Sequence, residues 1–179
     1  LTRTPILFHP FISTYETLVF DRKKAGPNSL RGRLSFWLDR TACHAADHLL
    51  LDTHANVTYF SKLFQLPLER FSVIPIGSDE GMFYPRPAQP NNGVKTVLYH
   101  GAYLPLQGID VIIHAAKLLD EQPDIRFKML GYGMEYDRIQ ALVKRLAIHN
   151  IDFCPGVPLN QLADQIAPAD ICLGGHFGT

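Results

Sequence analysis

The stretch YHGAYLPLQG (99–108) puts Gly101 and Gly108 at the ends of a loop that holds one proline and no charged residue. A short apolar run, KTVL (95–98), precedes it, and a strongly amphipathic segment follows. Glycine lets a ligand come close to the backbone, and free N–H groups at a helix start suit a phosphate. Similar junctions recur along the chain: GSD (77–79) after FSVIPI, GYG (131–133) after IRFKML, PGV (155–157) after IDFC, and GGH (174–176) after DICL. A single glycine at such a place is also ordinary turn chemistry. Glycine at five junctions of one kind favours a ligand site.

Other side chains offer narrower chemistry. His100 adjoins Gly101 and reads equally as a contact to a phosphate or sugar and as a strand-end residue bonded to a carbonyl. His44 and His48 stand four apart, a spacing that can ligate a metal when both lie on one helical turn. No acidic or cysteine partner completes that set, so no metal site is expected. Asp79 and Glu80 suit capping or hinge roles better than acid–base chemistry. Tyr132 either stacks near a base or stands as a surface aromatic beside a turn, and Trp37, at helical spacing, reads as core. The basic run Arg22-Lys23-Lys24 is a solvated loop or a contact for an anionic acceptor or membrane surface.

The elements that must position these residues fall into two blocks. FYPRPAQPNNG (83–93), rich in proline, asparagine and glycine, breaks both helix and strand and reads as a linker. Before it, PILF (5–8), HLLL (48–51) and FSVIPI (71–76) are strand candidates. Leu30, Leu34, Trp37, Leu38, Thr41 and Ala45 share one face of a helix, and Asp52 or Thr53 caps a second helix that runs to about Leu66. After the linker, VKTVLYH (94–100), IRFKML (125–130), IDFC (151–154) and DICLG (170–174) are strands. Between them lie helices marked by Ile109, Ile112, Ile113, Ala116 and Leu119, then by Ile139, Leu142, Val143 and Leu146, then a third near 159–167. Strand–helix alternation with short loops predicts parallel sheets with right-handed crossovers and helices on both faces. In such sheets ligands bind beyond the carboxyl ends of the strands, where the glycine junctions fall.

The bulk composition excludes some classes. The 179 residues include 46% hydrophobic types, enough for a core. Basic and acidic residues balance at 17 each, without the basic excess that nucleic-acid binding uses. Three widely spaced cysteines, Cys43, Cys154 and Cys172, suggest neither a disulfide framework nor a zinc site and fit a reducing cytoplasm. No apolar run approaches the roughly 20 residues of a membrane span, and the start does not resemble a signal peptide. Beginning at Leu1 and ending just after LGGHFG, the chain reads as an internal piece of something longer.

Residues 71–179 closely resemble the nucleotide-sugar-binding domain of the group 1 (family 4) glycosyltransferases, which have the two-domain GT-B architecture. The resemblance rests on four segments in the family's order: VIPIGSDEGMFYP (73–85), VLYHGAYLPLQGIDVIIHAAKLL (97–119), FKMLGYGMEYDRIQAL (127–142) and IDFCPGVPLNQLADQIAPADICL (151–173). The first block matches less specifically, as the later half of the family's amino-terminal Rossmann-like domain. The family holds the donor diphosphate in the Gly101–Gly108 loop, usually with an arginine after the first glycine and a lysine before the second. Here those places are Ala102 and Gln107. The wording HGxYxPLQG with ADICLGGxFGT resembles a variant within the family, expected to take its cation from elsewhere, such as a lysine beyond Thr179. The family's acidic pair normally starts after the strand matching ICLGG, where this chain carries His176.

The resemblance therefore implies an α/β fold of two Rossmann-like parallel-sheet domains, both incomplete here: residues 1–84 on the acceptor side, a linker at 85–93, and 94–179 on the nucleotide-sugar side. It implies a glycosyltransferase, retaining by family, that moves a sugar from a nucleoside diphosphate-sugar to a glycan, lipid or small-molecule acceptor. The donor site would use His100, Gly101, Gln107, Gly108, Gly131, Gly133, Val157, Gly175, His176, Phe177 and Gly178. His9, at a strand end comparable to one where the family places a histidine near the transferring sugar, is the catalytic candidate. No cofactor or metal is expected, and no nucleic-acid partner. A cytoplasmic location, with peripheral contact at the inner membrane face, fits. The alternatives are a nucleotide-sugar epimerase of the same architecture and a non-catalytic nucleotide- or sugar-binding module.

Overall fold

The computed structural model describes residues 4–87 and 93–174. The chain divides into two compact units, Leu1–Ser78 and Asp79–Thr179. In the first, β1 (Leu7–Phe8), the short α1 (Thr14–Glu16), α2 (Leu30–Ala45), β2 (His48–Leu51), α3 (His54–Phe64) and β3 (Phe71–Val73) follow in order. The strands make a parallel sheet in the order β1-β2-β3, with Leu7 opposite His48 and Leu49 opposite Phe71. Thr53 caps α3 by accepting from the Asn56 amide, and Gln65 ends it in the left-handed conformation. Leu49, Leu51, Phe60 and Phe64 are buried together with Cys43. Each fully buried side chain of the Leu or Phe type contributes about 1.5–3 kcal/mol.

Two expectations for this unit are corrected. Two strands are shorter than their apolar runs: β1 covers only Leu7–Phe8 of 5–8, and β3 stops at Val73, the Ile74 amide still bonding to Leu51 before Pro75. More telling, Trp37 is not core. It is 57% exposed, and Leu30, Leu34 and Leu38 are exposed with it. Helix α2 instead buries Gly32, Ser35 and Cys43. A Cβ on Gly32 would lie 2.3 Å from the Gly26 carbonyl oxygen, so the 26–29 turn lies directly on that face. Half-buried Asp39 on the same helix accepts from the Ser13 hydroxyl (2.8 Å) and the Tyr15 amide (2.9 Å), tying α1 down. Close backbone approach and buried hydrogen bonds orient α2, and they outweigh its apolar stripe.

In the second unit, β4 (Lys95–His100), α4 (Ile109–Leu118), β5 (Ile125–Leu130), α5 (Tyr136–Leu146), β6 (Ile151–Cys154), α6 (Leu159–Ile166) and β7 (Ile171–Leu173) alternate without a break. The sheet is wholly parallel in the order β6-β5-β4-β7. Here the periodic apolar residues do face the core: Ile109, Ile112, Ile113 and Ala116 of α4 pack with Ile139, Leu142 and Val143 of α5 against Val97, Tyr99, Phe127 and Met129. At the strand starts, Asp170 accepts from the Thr96 amide (2.9 Å) and pairs with Lys95 (2.9 Å). Asp120 accepts from the amides of His149 (2.7 Å) and Asn150 (3.1 Å), fixing the entry to β6. Arg86, in the segment of this unit before β4, hydrogen-bonds Asp164 of α6.

From β4 the chain steps outward to β5 and β6, then returns to place β7 on the other side of β4. The crevice between the carboxyl ends of β4 and β7 is thus the switch point, where open α/β sheets bind ligands.

Candidate functional site

At this crevice β4 ends in half-buried His100, followed by exposed Gly101, and β7 ends at Leu173, followed by exposed Gly174. The Gly101 amide donates to the Leu130 carbonyl (3.0 Å), extending the β4–β5 ladder by one bond. After Leu104 the loop makes a 3₁₀ turn, Pro105–Gln107, which closes when the Gly108 amide donates to the Pro105 carbonyl (3.1 Å). Gly108 takes φ 60°, in the left-handed region where a side chain is strained, and directly precedes α4. No side chain caps that helix. The Val111 amide donates to the Gly108 carbonyl (3.0 Å), so an anion at this helix start would meet the Ile109 and Asp110 amides. Asp110, in the first turn, lies 3.9 Å from Arg138 of α5, which softens its repulsion of such a ligand.

The β4–α4 loop and the β5–α5 loop are interlocked. Gly131 has φ 140°, and a Cβ there would lie 2.0 Å from the Gly101 carbonyl oxygen. A Cβ on Gly133 would lie 2.6 Å from the Tyr103 nitrogen and 2.7 Å from its oxygen. The Tyr103 amide donates to the Tyr132 carbonyl (3.2 Å), and its carbonyl accepts from the Glu135 amide (3.0 Å). The Gly131 amide reaches on to the Cys154 carbonyl (3.1 Å), joining the third loop. Gly131 and Gly133 thus give their space to protein backbone. By contrast, ideal Cβ positions at Gly156 and Gly174 meet nothing within 4 Å among the described residues.

Tyr103 is the residue that sequence reasoning missed. It is 0% exposed in a loop where Gly101 and Ala102 are open. Its ring stands edge-on to Tyr99 (5.9 Å) and Tyr136 (5.2 Å), and its hydroxyl is 3.4 Å from the Met129 carbonyl. Tyr99 donates to the Ala102 carbonyl (3.0 Å). Burial pushes the Tyr99 hydroxyl up to about 12, and burial, with Tyr136 and Tyr99 nearby, pushes Tyr103 higher still. Both are neutral donors across the physiological range, placed to hold structure and not to exchange protons. The available signal was a large aromatic in an otherwise small, uncharged loop.

The remaining candidates are dispersed. Gln107 is half-buried within the 3₁₀ turn, and Val157 is half-buried in the loop after β6. His9 is exposed after β1, in the first unit, edge-on to Phe11 (5.7 Å). Gly175, His176, Phe177 and Gly178 lie outside the described residues. Tyr132 is 69% exposed, with its ring 5.1 Å from Tyr136. His44 and His48 diverge: one bonds the Phe64 carbonyl and the other the Ser72 hydroxyl, each at 2.9 Å. Asp79 accepts from the Gly81 amide (2.9 Å), a turn-capping role. Among the described residues no three His, Cys, Asp or Glu side chains gather as a metal would need, and no helix is long and apolar enough to cross a membrane. A groove of about 400 Å³, lined by Asp110, His114, Arg138, Ala141, Leu142 and Arg145, belongs to the α4–α5 helical layer and not to the loops.

The second unit also carries a family signature. The model of the family "Glycosyl transferases group 1" matches residues 83–174. No curated protein matches the chain. Solved structures do, at low identity. A sucrose-phosphate synthase from Thermosynechococcus elongatus is 18% identical with a TM-score of 0.74, over 96% of this chain and 45% of its own. WaaG, a glycosyltransferase involved in lipopolysaccharide biosynthesis, is 20% identical with a TM-score of 0.69, over 98% of this chain and 52% of its own. HepE from Anabaena, solved in complex with UDP-glucose, is 14% identical with a TM-score of 0.67, over 95% of this chain and 46% of its own. The chain therefore spans about half the length of the solved proteins it matches, and what it shares with them is the fold.

Proposed function

The chain belongs to the group 1 glycosyl transferases, and from that premise we propose that it serves the transfer of a sugar from a nucleoside diphosphate donor to an acceptor. The observation that carries this reading is the β4–α4 junction: a left-handed Gly108 feeding an uncapped helix at the switch point of a parallel sheet. Backbone amides and the helix dipole there favour a diphosphate, each exposed contact contributing about 0.3–1 kcal/mol. His100 would stand beside the phosphates or the sugar, with Gly174 after β7 on the other side. Gly101 and Gln107 complete the loop, and Val157 would meet the nucleoside. Retention of anomeric configuration follows from family membership. His9 is the proposed contact to the transferring sugar, with the acceptor, whether glycan, lipid or small molecule, held by the first unit. The reaction needs no cofactor or metal in this reading, and a cytoplasmic site with peripheral membrane contact suits a lipid acceptor.

One observation favours a second reading. Ala102 and Gln107 are uncharged where leaving-group charge would be offset by cations. A protein lacking that compensation binds a nucleotide without turning over its sugar. Calorimetric titration with UDP, GDP and ADP, followed by release of nucleoside diphosphate from the matching sugar donors with and without a cell-lipid extract, separates the two. Binding with release supports the transferase. Binding without release supports the binding module, and no binding removes both.

A further inference from the structure

Resting on the nucleotide-sugar reading above, we propose that Tyr103 is a positioning residue that locks the β4–α4 and β5–α5 loops into one unit and so presets the backbone that faces the donor phosphates. The loop from Gly101 to Gly108 has no charged side chain. Its Gly101, Tyr103, Leu104, Gln107 and Gly108 amides donate within the protein, so its grip on a phosphate would come from the Ala102 amide, the Gln107 side chain and the α4 amides that follow, whose direction must be fixed before the ligand arrives. Each residue that had to be ordered during binding would weaken affinity by on the order of tenfold. The loop's own bond, from the Leu104 amide to the Ala102 carbonyl (3.0 Å), does not tie residues 102–104 to the neighbouring loop. Tyr103 does so from inside.

Three separate features converge on it. Its ring is fully buried between Tyr99 and Tyr136, one from the strand before the loop and one from the first turn of α5. Both its main-chain polar groups are bonded to the neighbouring loop, through Tyr132 and Glu135. Gly133 lacks the atom that would collide with those same two groups, at 2.6 and 2.7 Å. A core aromatic needs only its ring buried. This one also carries the backbone bonds that join two loops, and the next loop is built around it.

Hydrogen exchange and nucleotide titration test the proposal on the full chain. In the wild type, the amides of Tyr103 and Glu135, which bridge the two loops, should show the same protection factor, as groups released by one opening do. Tyr103→Leu should speed exchange at least about tenfold in both 101–104 and 131–135 while β4 and β5 stay protected, and should weaken UDP, GDP or ADP binding about tenfold. Tyr103→Phe, which keeps the ring and the backbone bonds, should restore both readouts to within about twofold. Exchange confined to one loop in Tyr103→Leu, or protection factors for the two amides that differ by more than about tenfold in the wild type, would overturn the lock. The wild-type protection decides the matter even where Tyr103→Leu does not fold. Equal nucleotide binding by the wild type and Tyr103→Leu overturns this proposal alone, whereas no binding by the wild type removes the donor role from it and from the reading it rests on.

Discussion

The glycines of the β4–α4 loop and those of the β5–α5 loop look alike in sequence and do different work. Gly131 and Gly133 surrender their side-chain space to the backbone of Gly101 and Tyr103. Gly108, buried, takes a left-handed φ at the start of α4. The first kind of glycine makes room for the next loop and the second sets the direction in which its helix begins. A glycine beside a strand end is therefore evidence of close approach, but the approaching group is as readily the next loop as a phosphate.

The sharpest way to break that comparison is Gly131→Ala. A methyl 2.0 Å from the Gly101 carbonyl, at φ 140°, cannot be accommodated without moving backbone. A loss of about 3 kcal/mol is expected in urea unfolding, and a loss under 1 kcal/mol would mean the two loops are not in contact. Gly133→Ala should cost slightly less, about 2–3 kcal/mol, and should also loosen the loop on the far side of the contact. Gly108→Ala should cost about 1–2 kcal/mol through the penalty of the left-handed conformation. Equal losses at Gly108 and Gly133 would erase the distinction between the two kinds.

A gain of function sharpens the comparison from the other side. Gln107→Lys restores a cation to the open loop and should tighten nucleoside diphosphate binding about tenfold, or ~1.4 kcal/mol, with little change in thermal stability. No change in affinity would place the phosphates elsewhere. The smallest effect is expected at Asp120, at the opposite end of the strands. The amide of His149 is the main cause holding its carboxylate below the ordinary value of 3.8, helped by the His149 ring, Lys117 and the Asn150 amide. A depressed carboxylate contributes stability that is present above the unfolded value and lost as pH falls through the folded one. The stability difference between wild type and Asp120→Asn should therefore be seen at pH 7 and shrink below pH ~4, leaving nucleotide binding at pH 7 untouched.

The alternating strands and helices of the second unit were legible because α4 and α5 bury the stripes their sequences mark. Ile109, Ile112, Ile113 and Ala116 on α4, and Ile139, Leu142 and Val143 on α5, all lie in the core. The same reading failed on α2, where Leu34, Trp37 and Leu38 share a stripe that is exposed. A tight turn against Gly32 and the bonds from Ser13 and Tyr15 to Asp39 set the orientation of that helix instead. Hydrophobic periodicity predicts burial only where nothing more specific competes for the face.

The sequence by itself determined the fold class, the parallel order of strand and helix, and the positions of the glycine junctions, because these depend on local period and turn chemistry. It also marked the absence of loop cations, at Ala102 and Gln107. Only the tertiary structure decided which glycines face open space and which are filled, that β7 returns beside β4 to form the crevice, and that Tyr103 anchors its loop. Those are properties of contacts between segments far apart in the chain, such as Tyr103 with Glu135 and Tyr99 with Leu173. A local pattern encodes what a residue can tolerate. What comes to lie beside it is settled by how the segments pack.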